Sequence, residues 1–246
     1  MAYNCTMTPL SNTASTKPFR IVVFGGGTIM HVRNHVGLCA PAYGGTAKKL
    51  ASMLQYTVTD RRLDLSIDLM LTKMADSESR METNEDVEQA LMRVVADPAT
   101  AGIIFNVALC DFSGEIGSVA SGKYAPRLQT REVTQNGLTM TLRPTKKLLK
   151  LIAAQRPDIV SVGFKTTADE PVEAQIAKSN RMSREANISW MLANDTVTRN
   201  NVVLRGSSSH GNTVADAYYN GNDRNEALRI LAQQFLQAVT PNYKAR

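Results

Sequence analysis

The residues best placed to do chemistry sit where apolar runs stop. Gly25-Gly26-Gly27-Thr28 follows the run Ile21 to Phe24, and Asp111 closes the stretch that begins with Ile103 to Leu109. Lys165, Thr166 and Thr167 come directly after the run ending in Gly163-Phe164, and Asn194-Asp195 comes after Ile188 to Leu192. In an open parallel sheet, ligands bind beyond the carboxyl ends of the strands. Four such ends carrying glycine or polar groups predict one crevice of nucleotide size. Glycines after a strand let backbone N–H groups approach a phosphate closely. A carboxylate at the same edge can hold Mg²⁺ or a ribose hydroxyl. Phe164-Lys165 offers a stacking surface beside a phosphate-neutralising cation, and Asn194-Asp195 can read a base edge or a hydroxyl.

Each of these has a plainer reading beside it. The glycine run also suits a tight strand-to-loop turn, Asp111 a turn cap, Lys165 a solvated loop, and Asn194-Asp195 an Asx turn. Gly44-Gly45-Thr46, at the start of the next helix, is a second phosphate cradle or a site of close helix packing. Lys178, Arg181 and Arg184 are three residues apart and share one helix face, as a phosphate-facing stripe or a solvated surface. The dinucleotide fingerprint fails because its last glycine position is Met30, and no Gly-Lys-Ser/Thr exists for a P-loop. A standard dehydrogenase or P-loop kinase is therefore disfavoured. His31, His35 and His210, with Cys5, Cys39 and Cys110, show no metal spacing and no C-x-x-C. No metal site is expected from His or Cys. A sparse, odd cysteine set fits a reducing cytoplasm.

The elements that must position these groups follow from periodicity. Phe19 to Phe24, the alternating stretch Leu63 to Leu71, Ile103 to Leu109, Leu138 to Leu142, Ile159 to Gly163, Ile188 to Leu192 and Val202 to Leu204 read as strands. Helices are expected over Thr46 to Gln55, from a capping box at Thr83 to Asp86, over Thr145 to Ala154, around Val172 to Arg184, and after an Asp223/Glu226 cap. Trp190 is expected in the core. Alternating strands and helices predict an α/β fold, a doubly wound, mostly parallel, Rossmann-like sheet. The stretch 113–142 is an inserted β arm, and residues 113–137, with Lys123, Arg127 and Arg131, a mobile lid. Residues 1–17 are expected to form a loose tail, and 18–246 a single domain.

At 246 residues, 43% hydrophobic and 20% charged, the chain is ordinary for a globular protein. Its net charge of +6 suits an anionic ligand. The basic residues are dispersed and aromatics make up only 6%, which disfavours nucleic acid. No leader peptide or membrane span is expected.

Taken together, the motifs resemble the phosphopantothenate–cysteine ligase family, the second half of the bacterial coenzyme A bifunctional flavoprotein. Val23-Phe24-Gly25-Gly26-Gly27-Thr28 resembles its opening strand and glycine turn. Val107-Ala108-Leu109-Cys110-Asp111-Phe112 is similar to its A-A-V-[AS]-D-[FY] motif, and Val162-Gly163-Phe164-Lys165-Thr166-Thr167-Ala168 to its [VS]-[GS]-F-[AK]-x-E-T motif, with Thr167 or Ala168 in place of the acidic residue. Ala193-Asn194-Asp195 is similar to its A-N-D step, and Leu138-Thr139-Met140-Thr141-Leu142 to its L-T-[LM]-x-L arm. The resemblance implies ligation of 4′-phosphopantothenate, or a related acid, to cysteine through an acyl-nucleotide. ATP or CTP would be co-substrate, with Mg²⁺ and no flavin, in a homodimer. It further implies Asp111 at nucleotide or metal, Phe164 and Asn194 at the base, and Gly25 to Thr28 at the phosphates. Lys123 and Arg127 are both candidates for the mobile-loop cation. The family's Asn for the amide-forming step has no counterpart in Ala40-Pro41-Ala42-Tyr43-Gly44, and Asn34 is the nearest candidate. The alternative is a ligase-derived nucleotide-binding protein without amide chemistry.

Overall fold

The computed structural model describes residues 19–133, 136–206 and 212–244, so the expected tail at 1–17 lies outside the described residues. The chain runs β1 (Phe19–Gly27), β2 (Ile29–Arg33), β3 (Val36–Cys39), α1 (Gly45–Asp60), β4 (Leu65–Leu71), α2 (Asn84–Ala96) and β5 (Thr100–Ala108). An arm of β6 (Phe112–Glu115) and β7 (Thr141–Pro144) follows. Then come α3 (Leu149–Gln155), β8 (Val160–Thr167), α4 (Val172–Ala186), β9 (Trp190–Asp195), β10 (Asn201–Arg205), β11 (Tyr219–Gly221) and α5 (Arg224–Lys244).

Seven strands form one sheet in the order β11-β10-β9-β8-β5-β1-β4. β4, β1, β5, β8 and β9 are parallel, and β10 runs against its neighbours β9 and β11. The fold is the expected α/β, doubly wound, mostly parallel sheet. Its direction of winding reverses between β1 and β5, which opens a crevice at their carboxyl ends.

Period-two alternation divides the strands between two cores. Ile21, Val23, Ile104, Val162 and Leu192 pack under α1 (Leu50, Leu54) and α5 (Leu228, Leu231, Phe235). Val22, Phe24, Ile103 and Phe105 pack under α2 and α3 on the other face. Met191, Ala193, Val202 and Leu204 continue that second face under α4. Trp190 is buried, as expected. The predicted capping box also holds: the Thr83 hydroxyl accepts from the Asp86 N–H and the Asp86 carboxylate from the Thr83 N–H.

Two local expectations are corrected, and a stretch with no expected element gains a hairpin. The glycine run is strand rather than turn, because Gly25, Gly26 and Gly27 stay in register with Asn106, Val107 and Ala108 of β5. The glycine-rich segment 25–45 holds the hairpin β2–β3, its strands joined by a turn at Asn34 and His35. The helix expected from Thr145 starts only at Leu149. Thr145 is bound to the end of β5 instead, through its N–H to the Asp111 carbonyl (2.9 Å) and its hydroxyl to the Cys110 carbonyl (2.7 Å). Local periodicity carries no sign of such a tether.

Phe235 is fully buried against Gly102, where an added Cβ would come within 2.6 Å of the ring. Phe235→Ala is expected to lower stability by about 3–5 kcal/mol, read as a lower urea midpoint at unchanged slope.

Candidate functional site

Because β1, β5, β8 and β9 are parallel, their carboxyl ends share one edge. The structure thus gathers Gly25–Thr28, Asp111, Phe164, Lys165, Asn194 and Asp195 along it. They do not all face the same way.

The glycines are filled by the protein itself. A Cβ on Gly25 would meet Ala47 Cβ at 2.2 Å, one on Gly26 the Thr72 hydroxyl at 2.1 Å, and one on Gly27 the Ala40 carbonyl at 2.0 Å. Gly26 also has φ +105°, a region that L side chains strain to enter. Their first task is close packing of α1 and its neighbouring loops on the strand end. Thr28 is completely buried. Its hydroxyl donates to Asn84 Oδ1 (2.6 Å) and accepts from the Cys110 N–H (3.0 Å), while Asn84 Nδ2 donates to the Cys110 carbonyl (2.8 Å). Burial pushes the Cys110 thiol up from its ordinary pKa.

Asp111, one position further, is exposed, and its carboxylate pairs with Lys147. Beside it, a cleft of about 320 Å³ opens between the α2 N-terminus and the base of the arm, lined by Met30, Asn84, Glu85, Glu88, Thr145 and Lys146. A second cleft, of about 290 Å³, is lined by Arg205, Asp216 and Tyr218 at the opposite edge of the sheet, where Tyr218 packs edge-on against Trp190.

Asp195 is an internal hub. Its Oδ1 accepts from the N–H groups of Asp169 (3.0 Å), Val197 (2.9 Å) and Thr198 (2.9 Å). Its Oδ2 accepts from the Thr167 hydroxyl (2.8 Å) and the Glu170 N–H (3.1 Å). Burial works against its charge, but these donors outweigh it and hold the carboxyl well below the usual range. Lys178 pairs with Glu170 near the start of α4. Lys165 is held by its backbone in the β8–β9 ladder, and its side chain forms no hydrogen bond or ion pair among the described residues.

On the α1/α5 face the arrangement is open. Gly44 enters α1 with φ +72° and caps it without a side chain. The leading N–H groups of α1 therefore lack a side-chain acceptor, and a Cβ on Gly45 would meet nothing within 4 Å. Arg224, in the first turn of α5, donates to Asn201 Oδ1 (2.9 Å) and reaches the Thr46 hydroxyl (3.4 Å). Burial lowers its pKa from the ordinary arginine value. Phe164 packs on this same face, and alternation puts Asn106, Asn194 and Asn201 there too. A helix N-terminus and a fixed guanidinium side by side attract an anion. On this face the positive pair therefore has an aromatic ring and three carboxamides for neighbours.

Sequence reasoning missed Arg224, Asn201 and Asn106. A usable signal existed for the first. The Asp223/Glu226 cap places Arg224 in the opening turn of a helix, where a cation opposes the dipole.

The structure also joins two of the three candidate catalytic residues. Asn34, at the hairpin tip, donates from Nδ2 to the Lys123 carbonyl (3.4 Å) and from its N–H to the Ala125 carbonyl (3.0 Å). Lys123 is paired with Glu82, whereas Arg127 is exposed. The buried Arg33 guanidinium donates to the Ile116 carbonyl.

No protein-family model matches the chain, and no curated protein matches it. Solved structures do. The DNA/pantothenate metabolism flavoprotein from Streptococcus pneumoniae aligns at 16% identity and TM-score 0.66, over 91% of this chain and 99% of that one. The C-terminal domain of the coenzyme A biosynthesis bifunctional protein CoaBC aligns at 15% and 0.59, over 93% and 97%. A Cab2 variant in complex with phosphopantothenate-cysteine aligns at 12% and 0.59, over 93% and 87%. At these identities the likeness is one of fold. The fold expected from the motifs is the fold these structures have.

Asp195 generates a pH prediction. A carboxyl whose folded pKa is depressed contributes stability above its unfolded pKa of about 3.9 and loses it as pH falls toward the folded value. Below about pH 4, stability of the wild type should drop more steeply than that of Asp195→Asn, which should be the less stable protein at pH 7. Parallel urea titrations between pH 7 and pH 2.5 check this; parallel curves would count against the hub.

Proposed function

We propose that this protein is a nucleotide-dependent ligase that joins 4′-phosphopantothenate, or a closely related acid, to cysteine through an acyl-nucleotide. One observation carries the reading: the open α1 N-terminus and Arg224 stand beside Phe164 and Asn194 on one face of the sheet. Support comes from the order of the motifs and from a fold shared with structures of coenzyme A biosynthesis.

In this reading Gly44, Gly45, Thr46 and Arg224 hold triphosphate oxygens, Phe164 and Asn194 hold the base, and Lys165 adds an ammonium at the same edge. Among the described residues no three acidic, histidine or cysteine side chains converge. An all-protein cage for Mg²⁺ does not fit, but an ion carried by the triphosphate needs only one or two carboxylates. Asp111 supplies one. The acid's carboxylate oxygen attacks the α-phosphorus, and pyrophosphate leaves. The amine of cysteine then attacks the acyl carbon, loses a proton, and displaces the nucleoside monophosphate. Lys123 or Arg127 supplies the loop cation that neutralises the departing pyrophosphate. Asn34 is the carboxamide nearest the loop for orienting the intermediate. Residues 18–246 act as one domain, with 113–137 as its lid. The arm exposes Phe112, Leu138 and Leu142 beside the open strand β7, which suits pairing with a second copy in a homodimer.

One observation favours the second reading, a nucleotide-binding protein without amide chemistry. The Asn34 carboxamide is already engaged with the Lys123 carbonyl at the hairpin tip.

Calorimetry with ATP, CTP, GTP and UTP in magnesium buffer should show binding of at least one. Arg224→Gln should weaken it about 10- to 100-fold, as for loss of one charged hydrogen bond, with Arg224→Lys intermediate. Absence of heat with all four nucleotides would defeat the reading. With 4′-phosphopantothenate the wild type should release pyrophosphate and form product only when cysteine is present. Pyrophosphate without cysteine-dependent product would select activation alone. Asp111→Asn should weaken nucleotide binding and its magnesium dependence together.

A further inference from the structure

Glu82 is held rigidly just ahead of α2. Its N–H donates to Asp86 Oδ2 (3.0 Å) and its carbonyl accepts from the Ile29 N–H (3.0 Å), so it belongs to the cap of α2 and to the root of the hairpin. Its side chain is only 18% exposed. One oxygen takes the Lys123 ammonium, and the other faces His31 Nε2 at 3.6 Å. The Lys123 ammonium has no second acidic partner among the described residues. Segment 122–125 is tied by the Asn34 contacts, while the Tyr124 side chain is 90% exposed. The pair therefore joins a firmly seated carboxylate, Glu82, to a lysine on an exposed surface segment.

We propose that Glu82 is a latch that parks Lys123 in the nucleotide-free protein and competes with the incoming phosphate chain for its ammonium. This rests on the reading of Lys123 as a loop cation of the ligase. The hydrogen bond from Lys123 holds the Glu82 carboxyl below its usual range, with burial acting against it, and raises the lysine in turn. Both partners are thus charged at neutral pH and cancel one another. A triphosphate that recruits Lys123 exchanges one anionic partner for another. The lid stays down when the site is empty, and the exchange sets part of the nucleotide affinity.

Two variants break the latch from opposite sides, Glu82→Gln and Lys123→Met. In the free protein both should speed tryptic cleavage after Arg127 several-fold, and Glu82→Gln should speed deuterium exchange at the Asn34 amide. Unchanged cleavage in both variants overturns the proposal. Titration with magnesium ATP or CTP at low salt supplies a readout that a merely structural role would not move. Glu82→Gln should bind about three- to fivefold more tightly than wild type, the range of a half-exposed ion pair. That gain should vanish in the Lys123→Met background, where no cation remains to be released. Equal or weaker binding by Glu82→Gln, or a gain that survives loss of Lys123, also overturns it. If the wild type binds no nucleotide, the ligase reading fails instead, and the cleavage comparison alone decides whether the latch exists.

Discussion

A threonine hydroxyl, an asparagine carboxamide and a cysteine peptide group meet in the interior where β1 ends, α2 begins and β5 ends. Thr145 adds its hydroxyl to the same carbonyl, so the returning arm is tied in as well. A buried polar group left without a partner costs about 1–3 kcal/mol. Here Thr28, Asn84 and Cys110 satisfy one another, and losing Thr28 or Asn84 removes hydrogen bonds from both of the others. The crevice of a doubly wound sheet opens where the winding reverses, and this knot is what holds the chain segments together at that reversal. The glycine run beside it allows α1 and the Ala40 segment to close on the strand end.

Around that knot the edge divides into a sealed side and an open one. Asp195 spends both carboxylate oxygens on the loops after β8 and β9, and Thr28 spends its hydroxyl inside. The helix N-terminus of α1 and the guanidinium of Arg224 are left as positive features with no acidic partner among the described residues. Desolvation makes such a pairing costly unless an anion completes it. The same economy of partners appears at the lid, where the carboxylate of Glu82 neutralises Lys123 at the edge of the hairpin.

Much of this was legible in the residues. The polar edge was marked by apolar runs that stop near Asp111, Lys165 and Asn194, since a strand buried on both faces cannot carry charge inside. The strands themselves end elsewhere: β1 continues through Gly27, β5 stops at Ala108 and β8 continues through Thr167. The Thr83 to Asp86 box marked its helix because its hydrogen bonds are local. Asn201 and Arg224 were not legible as a pair. They lie 23 positions apart and meet only because α5 folds back over β10.

What the sequence determined alone was the alternation of strands and helices and the set of residue types at the strand ends, because periodicity and capping act within a few residues. Tertiary structure decided which of those residues face a ligand. Asp195 and Asn194 are adjacent, yet pleating turns one into a saturated hub and the other toward the α1/α5 face. Gly26 and Gly45 read alike on paper, but one is filled by Thr72 and the other opens onto free space. The reason is the same in each case: orientation and vacancy depend on what packs opposite, and that is set by distant parts of the chain.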